Sequence, residues 1–158
     1  MSELHDRVAV LLARGFGVGC SPVAPGTVGT AVAVPLVCLQ LVLSTEVFLV
    51  FVLIFILGAV YVASVAEKQM DGTDDPSIVV DEMAGFLIAM AYVPLTVWSM
   101  LAGFVLFRAF DIFKPPPVNT VERKFSGGLG IVGDDLVAGL MTNVLLQLAI
   151  RSNIFSWH

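Results

Sequence analysis

Charge is what this sequence has least of. Asp, Glu, Lys and Arg make up 13% of its 158 residues, about half the ~25% usual in soluble domains. Apolar residues reach 58% with glycine left out, where soluble domains hold about 45–50% with glycine counted. The mean hydropathy is +0.94. So small a chain has too few polar groups to cover a water-exposed surface, which points to an integral membrane protein. Basic charge is scarcer still. Eight Lys and Arg stand against thirteen Asp and Glu, for a net charge of −5. That balance argues against nucleic-acid binding, which needs a basic face. The two cysteines, Cys20 and Cys38, imply no disulfide framework or metal pair. Neither opens a Cys-x5-Arg thiol-phosphatase loop, because Gly26 and Ser44 occupy the sixth positions onward. His5 and His158 are the only histidines, so a Ser-His-Asp triad is not expected. No P-loop lysine follows the glycines, and ATP use has no support.

Four apolar segments are present, at residues 28–43, 47–66, 83–107 and 136–150. Polar stretches rich in Gly and Pro separate them. Pro94 interrupts the third segment between Tyr92 and Trp98, and such aromatics favour membrane interfaces. The expected reading there is a hairpin. One helix covers about 76–92, with Asp75-Pro76 as N-cap and first turn, and its partner covers about 96–114 behind Thr96. The fold expected is all-α, a single-domain polytopic membrane bundle over residues 1–158. Five core helices are expected at 31–43, 47–66, 76–92, 96–114 and 134–150. The N-terminus lacks a basic start and a small-residue cleavage site, so it reads as an amphipathic surface helix rather than a signal peptide. This topology gathers every polar stretch on one side, with seven of the eight Lys and Arg. The positive-inside rule makes that side cytoplasmic.

The same rim collects Asp71, Asp74, Asp75, Asp81, Glu82, Asp111, Asp134 and Asp135. Charges inside membrane helices are costly and usually pair or serve a site. Two strings share a pattern: "DEMAG" begins at Asp81 and "DLVAG" at Asp135. Residues three and four onward share a helical face with the first, and Ala-Gly there lets two helices approach closely. Each aspartate would then face a tight seam. Two carboxylates in a seam repel unless a cation lies between them, and hard oxygen ligands favour Mg²⁺ or a similar ion. The plainer alternative is that Asp134 or Asp135 caps the last helix and Ala-Gly is ordinary packing.

In "LFRAFDIFKPPP" (106–117), Arg108, Asp111 and Lys114 follow at intervals of three. On a helix they fan across one broad face. Asp111 can join a metal site while Arg108 and Lys114 grip a phosphate, Arg by a planar fork and Lys as a point charge. A surface triad of ion pairs with snorkelling stems is the alternative. The prolines stop the helix. The glycines of "GFGVG", "APGTVG" and "SGGLGIVG" either present backbone N–H groups to phosphate or simply make turns.

Taken in order, "GFGVGCSPVAPGTVGT", "SIVVDEMAG" and "FRAFDIFKPPP…GGLGIVGDDLVAG" resemble the phosphatidylglycerophosphatase A family over about residues 15–140. Cys20 and Gly133 depart from its pattern, outside the acidic and basic set. The resemblance implies a Mg²⁺-dependent phosphatase of the bacterial inner membrane, multi-pass, with its active site on the cytoplasmic face. Its implied substrate is phosphatidylglycerophosphate, cleaved to phosphatidylglycerol and inorganic phosphate. Asp81, Glu82, Asp111, Asp134 and Asp135 form the expected catalytic set. Asp81, Glu82, Asp111 and Asp135 hold the metal, with Glu82 as first choice for general base. Arg108, Lys114, Gly26 and Thr27 bind the phosphate. A covalent route through Asp111 stays open. A lipid head-group transferase and a cation carrier or channel are the rival readings, the latter disfavoured because the acids crowd one rim.

Overall fold

The computed structural model describes residues 3–70 and 75–152, and all regular structure among them is helical. The loop acids Asp71 and Asp74 lie outside the described residues. The helices are α1 (Glu3–Ala13), α2 (Pro25–Val32), α3 (Val34–Cys38), α4 (Thr45–Gln69), α5 (Val80–Met90), α6 (Val97–Phe113), α7 (Val118–Lys124) and α8 (Gly128–Arg151). Short 3₁₀ turns cover Gly15–Cys20 and Leu39–Leu41.

Two of these helices are long and apolar enough to cross a membrane: α4 with 25 residues and α8 with 24. At ~1.5 Å per residue each spans roughly 36–38 Å. Ser44 starts α4 by accepting the Val47 N–H, and Lys68 lies in its last turn, where a cation complements the helix dipole.

The break at Pro94 is a true reversal. Thr96 and Ser99 form a reciprocal capping box that starts α6. Gly103 then packs against Met90, while Phe107 packs beside Gly85. Contacts rising along one helix and falling along the other make α5 and α6 antiparallel. α8 runs parallel to α5, because Gly85 lies against Asp135 and Gly139. Further along, the Asn143 amide donates to the carbonyls of Ala89 and Ala91 at 3.1 and 2.8 Å. The N-terminal ends of α5 and α8 and the C-terminal end of α6 therefore lie together.

Five full crossings are not what the described residues contain. The expected helix at 76–92 begins only at Val80, leaving 11 residues, roughly 16 Å against a hydrocarbon core of about 30 Å. Asp75 does not cap it. Its carboxylate instead accepts the Ser77 N–H at 2.8 Å, and the Val79 N–H bonds the Ala13 carbonyl at 2.9 Å. Hydrogen bonding from Ser77 holds the Asp75 carboxyl below its ordinary pKa. The expected crossing at 31–43 is broken into α2, α3 and a 3₁₀ turn, with Pro35 opening the middle piece. α5 is apolar because it is the core: Ala84, Phe86, Leu87, Ala89 and Met90 are all fully buried. The last helix starts earlier than expected, at Gly128, so Asp134 and Asp135 lie inside it and neither is its cap.

Candidate active site

The two Ala-Gly strings meet. Ala84 and Ala138 are fully buried. A Cβ on Gly85 would stand 2.6 Å from the Asp135 carbonyl oxygen, and one on Gly139 would overlap the Gly85 carbonyl. Only glycine allows backbones this close. The contact brings Asp81, in the first turn of α5, beside Asp135 of α8.

One carboxylate oxygen from each of Asp81, Glu82 and Asp135 lies within 4.8 Å of the other two. Oxygens around a single hard cation lie about 2.0–2.6 Å from it, so pairs stand at most roughly 4–5 Å apart. The three carboxylates fit one such ion. Asp111 of α6 adjoins Asp135 from the third side. Glu82 Oε2 is buried with no hydrogen-bond partner among the described residues, a lone pair still open to a cation. Asp134 and Asp135 are only 5% and 3% exposed, and such burial of charge demands compensation.

The cations supply part of it. Arg108 pairs with Asp111 one turn along α6, and its Nη1 lies 3.6 Å from Glu82 Oε1. The Arg108 Nε is buried without a hydrogen-bond partner among the described residues. Lys114 donates to Asp134 Oδ2 at 2.7 Å. It therefore does not stand with Arg108 on one helical face. α6 ends at Phe113, and Lys114 is its left-handed C-cap at φ 43, which turns the side chain across to α8. Pro115 signalled that α6 stops here, since the residue before proline avoids the right-handed helical region, but not the left-handed turn that Lys114 takes.

The N-terminus of α2 closes the cluster. A Cβ on Gly26 would overlap Glu82 Oε1 and lie 3.0 Å from Arg108 Nη2. Ala24 precedes the helix in the left-handed region at φ 45, and Pro25 is its first residue. Gly26 and Thr27 thus occupy the first turn, where backbone N–H groups lack intrahelical partners and the dipole favours an anion. In the other glycine stretches Gly17 and Gly127 turn the chain at φ 97 and 71, and their neighbours serve packing. Gly19 abuts the Ser77 carbonyl, and Gly128 abuts Val60 and Ser64.

The structure thus brings Asp81, Glu82, Asp111 and Asp135 into one cluster, with Arg108 and Gly26 against it and Lys114–Asp134 at its flank. Sequence reasoning missed Asn143, whose two bonds fix the register of α5 on α8. Its signal was the pair of amides Asn143 and Gln147, one turn apart in an otherwise apolar stretch.

A family model described as phosphatidylglycerophosphatase A matches residues 11–150. A protein of that name from Escherichia coli K12 is 39% identical over 137 residues, covering 86% of this chain and 80% of its own. Another from Haemophilus influenzae is 40% identical over 144 residues, covering 89% and 87%. A Bacteroides thetaiotaomicron protein, provisionally named a phosphatidylinositol-3-phosphatase, is 37% identical over 148 residues, covering 89% and 92%. No solved structure matches.

Proposed function

Because the chain belongs to the phosphatidylglycerophosphatase A family, and is therefore a lipid phosphatase, we propose that it removes the terminal phosphate of phosphatidylglycerophosphate in a Mg²⁺-dependent reaction at the cytoplasmic face of a bacterial inner membrane. The observation that carries this reading is the meeting of Asp81, Glu82 and Asp135 within 4.8 Å beside the buried Arg108 guanidinium.

Asp81, Glu82 and Asp135 would hold the ion, with Asp111 next to them. A bound Mg²⁺ would supply positive charge to the phosphoryl oxygens and acidify a nearby water. Arg108 and the first-turn N–H groups of Gly26 and Thr27 bind the phosphate oxygens and offset charge that builds during attack. Lys114, held by Asp134, adds a second cation at the edge. Glu82 is the base: the carboxylate oxygen it does not give to the ion takes the proton from the attacking water. The water oxygen joins phosphorus, the bond to the glycerol oxygen breaks, and that oxygen leaves with the proton that Glu82 took up.

In this reading α4 and α8 are the crossings, supported by their length and apolar composition, and the α5–α6 hairpin packs on them. α1 then lies along the surface with Leu4, Val8 and Leu11 exposed. The Bacteroides relative's name makes a phosphoinositide the competing head group. Phosphate release from purified protein decides the matter, measured with phosphatidylglycerophosphate, phosphatidylinositol 3-phosphate and phosphatidic acid, with and without Mg²⁺. Release from the first lipid only with Mg²⁺ is the expected result. Preference for either other lipid overturns the head-group assignment.

A further inference from the structure

The seam between α6 and α8 is closed at both ends and open between them. At the site end the Lys114–Asp134 ion pair bridges it at 2.7 Å. At the other end Gly103 brings α6 against α8, where a Cβ would meet Leu146 at 3.3 Å. The two contacts lie roughly 16–18 Å apart along the helices. Between them runs a groove of about 430 Å³ lined by Phe110, Leu140, Met141, Val144 and Leu145, all apolar. Leu140, Val144 and Leu145 are 56%, 48% and 43% exposed, so the groove opens sideways, toward the bilayer when α8 crosses it.

We propose that this groove holds one acyl chain of the lipid substrate while its phosphate lies at the acid cluster. The inference rests on the phosphatase reading above and adds a chain-binding subsite to it. Polarity selects the occupant. An amphiphile lying here would place an anionic head beside Lys114 and an apolar tail along Met141 and Leu145. Phe110 links the two regions, since it lies in the groove and immediately precedes Asp111. Lateral opening lets the chain enter without leaving hydrocarbon. A second apolar groove, of about 210 Å³, lies between α1, α4 and α5 and is lined by Phe16, Gly58, Val80 and Met83. Its α5 residues belong to the face turned from Arg108 and Lys114, so a chain there would run away from the phosphate cations.

The test compares long-chain with dihexanoyl phosphatidylglycerophosphate on Val144→Trp, which fills the first groove, and Gly58→Leu, which fills the second. Val144→Trp is expected to raise KM for the long-chain lipid about tenfold, the equivalent of roughly two buried methylenes, with kcat and dihexanoyl kinetics unchanged. Gly58→Leu is expected to change neither. The reverse pattern, or equal kinetics for all three proteins on the long-chain lipid, overturns the proposal. A phosphatidylglycerophosphate analogue with a diazirine in one acyl chain gives a second readout on unaltered protein. Crosslinks within residues 140–145 support the groove, and crosslinks confined to α1, α4 or evenly spread overturn it. Crosslinking does not require turnover, so a failed head-group assignment leaves this result standing.

Discussion

Gly85 holds its backbone so near α8 that a Cβ there would stand 2.6 Å from the Asp135 carbonyl oxygen and 2.7 Å from the Phe107 ring. One atom more on either glycine of the seam must push the α5 and α8 acids apart. Gly139→Ala is therefore expected to destabilise by about 1–3 kcal/mol, the usual cost of overpacking, and to weaken metal binding more than a remote change of equal cost. Gly58→Ala is its control. Nothing lies within 4 Å of a Cβ there, and replacing glycine within a helix gains roughly 0.5–1 kcal/mol. Thermal unfolding in detergent, with and without Mg²⁺, separates the two. Equal behaviour would mean the seam does not set the acid geometry.

Removing the charge from one carboxylate should act through the ion. Asp81→Asn and Asp135→Asn keep shape but lose the anionic ligand. Each is expected to cost more than the ~10–100-fold that losing an outer partner of a metal ligand costs. In the unaltered protein, Mg²⁺ at about a hundredfold excess over Kd should stabilise by ~2.7 kcal/mol, and chelation should abolish phosphate release. Neither variant should show the Mg²⁺-dependent rise in Tm. A full rise in both would place the ion elsewhere.

The basic residues divide by position. Arg108 is buried among Asp111 and Glu82, whereas Lys124 is exposed at the end of α7. Arg108→Gln should reduce kcat by about 10²–10³, in line with loss of a charge-stabilising donor. Arg108→Lys should recover only part, because a fork becomes a point charge. Lys114→Gln should fall between Arg108→Gln and Lys124→Gln, and it should also unsettle Asp134. Initial rates at fixed Mg²⁺ and fixed surface concentration of lipid provide the comparison. Equal losses at Arg108 and Lys124 would reduce the cluster's cations to a surface role.

These outcomes also mark what could be read from the chain. The meeting of "DEMAG" with "DLVAG" was legible, because small residues at helical spacing state where two backbones can touch. So was the reversal, because Pro94 and Thr96 act locally. The start of α5 was not. Asp75-Pro76 has the chemistry of a cap, but the Ser77 N–H takes the carboxylate and Ala13, distant in sequence, takes the Val79 N–H. Nor does apolarity distinguish a helix facing lipid from one enclosed by its neighbours, and α5 is the second kind. Partner choice was equally hidden. Helical spacing put Lys114 beside Arg108, while the left-handed cap before Pro115 sends it to Asp134.

The orientation of the α6–α8 seam relative to the membrane is open to labelling. With Cys20 and Cys38 replaced by serine, Val97→Cys and Thr120→Cys occupy exposed positions beyond opposite ends of the seam. A membrane-impermeant thiol reagent applied to intact cells should label Val97→Cys, and Thr120→Cys should react only after permeabilisation. The opposite pattern would put the acid cluster outside the cell.

Gly26 offers the sharpest separation of site from scaffold. A Cβ there would overlap Glu82 Oε1, yet the obstructing atom is the end of a flexible side chain rather than backbone. Gly26→Ala should therefore leave the fold nearly as stable as before, because Glu82 can swing aside. It should still lose most activity, because the displaced carboxylate no longer faces Asp81 and Asp135, and its contact with Arg108 is disturbed. Shortening the acid makes room. In Gly26→Ala/Glu82→Asp the carboxylate retreats by one methylene, away from the new methyl group. Mg²⁺ stabilisation should then return in part, measured as a rise in Tm, although kcat stays low because the base no longer reaches the attacking water. A double-mutant cycle on the Mg²⁺-dependent Tm shift should accordingly show favourable coupling between the two positions. Full activity in Gly26→Ala alone would falsify the role given to Glu82, since that carboxylate would then work from a position the structure does not hold.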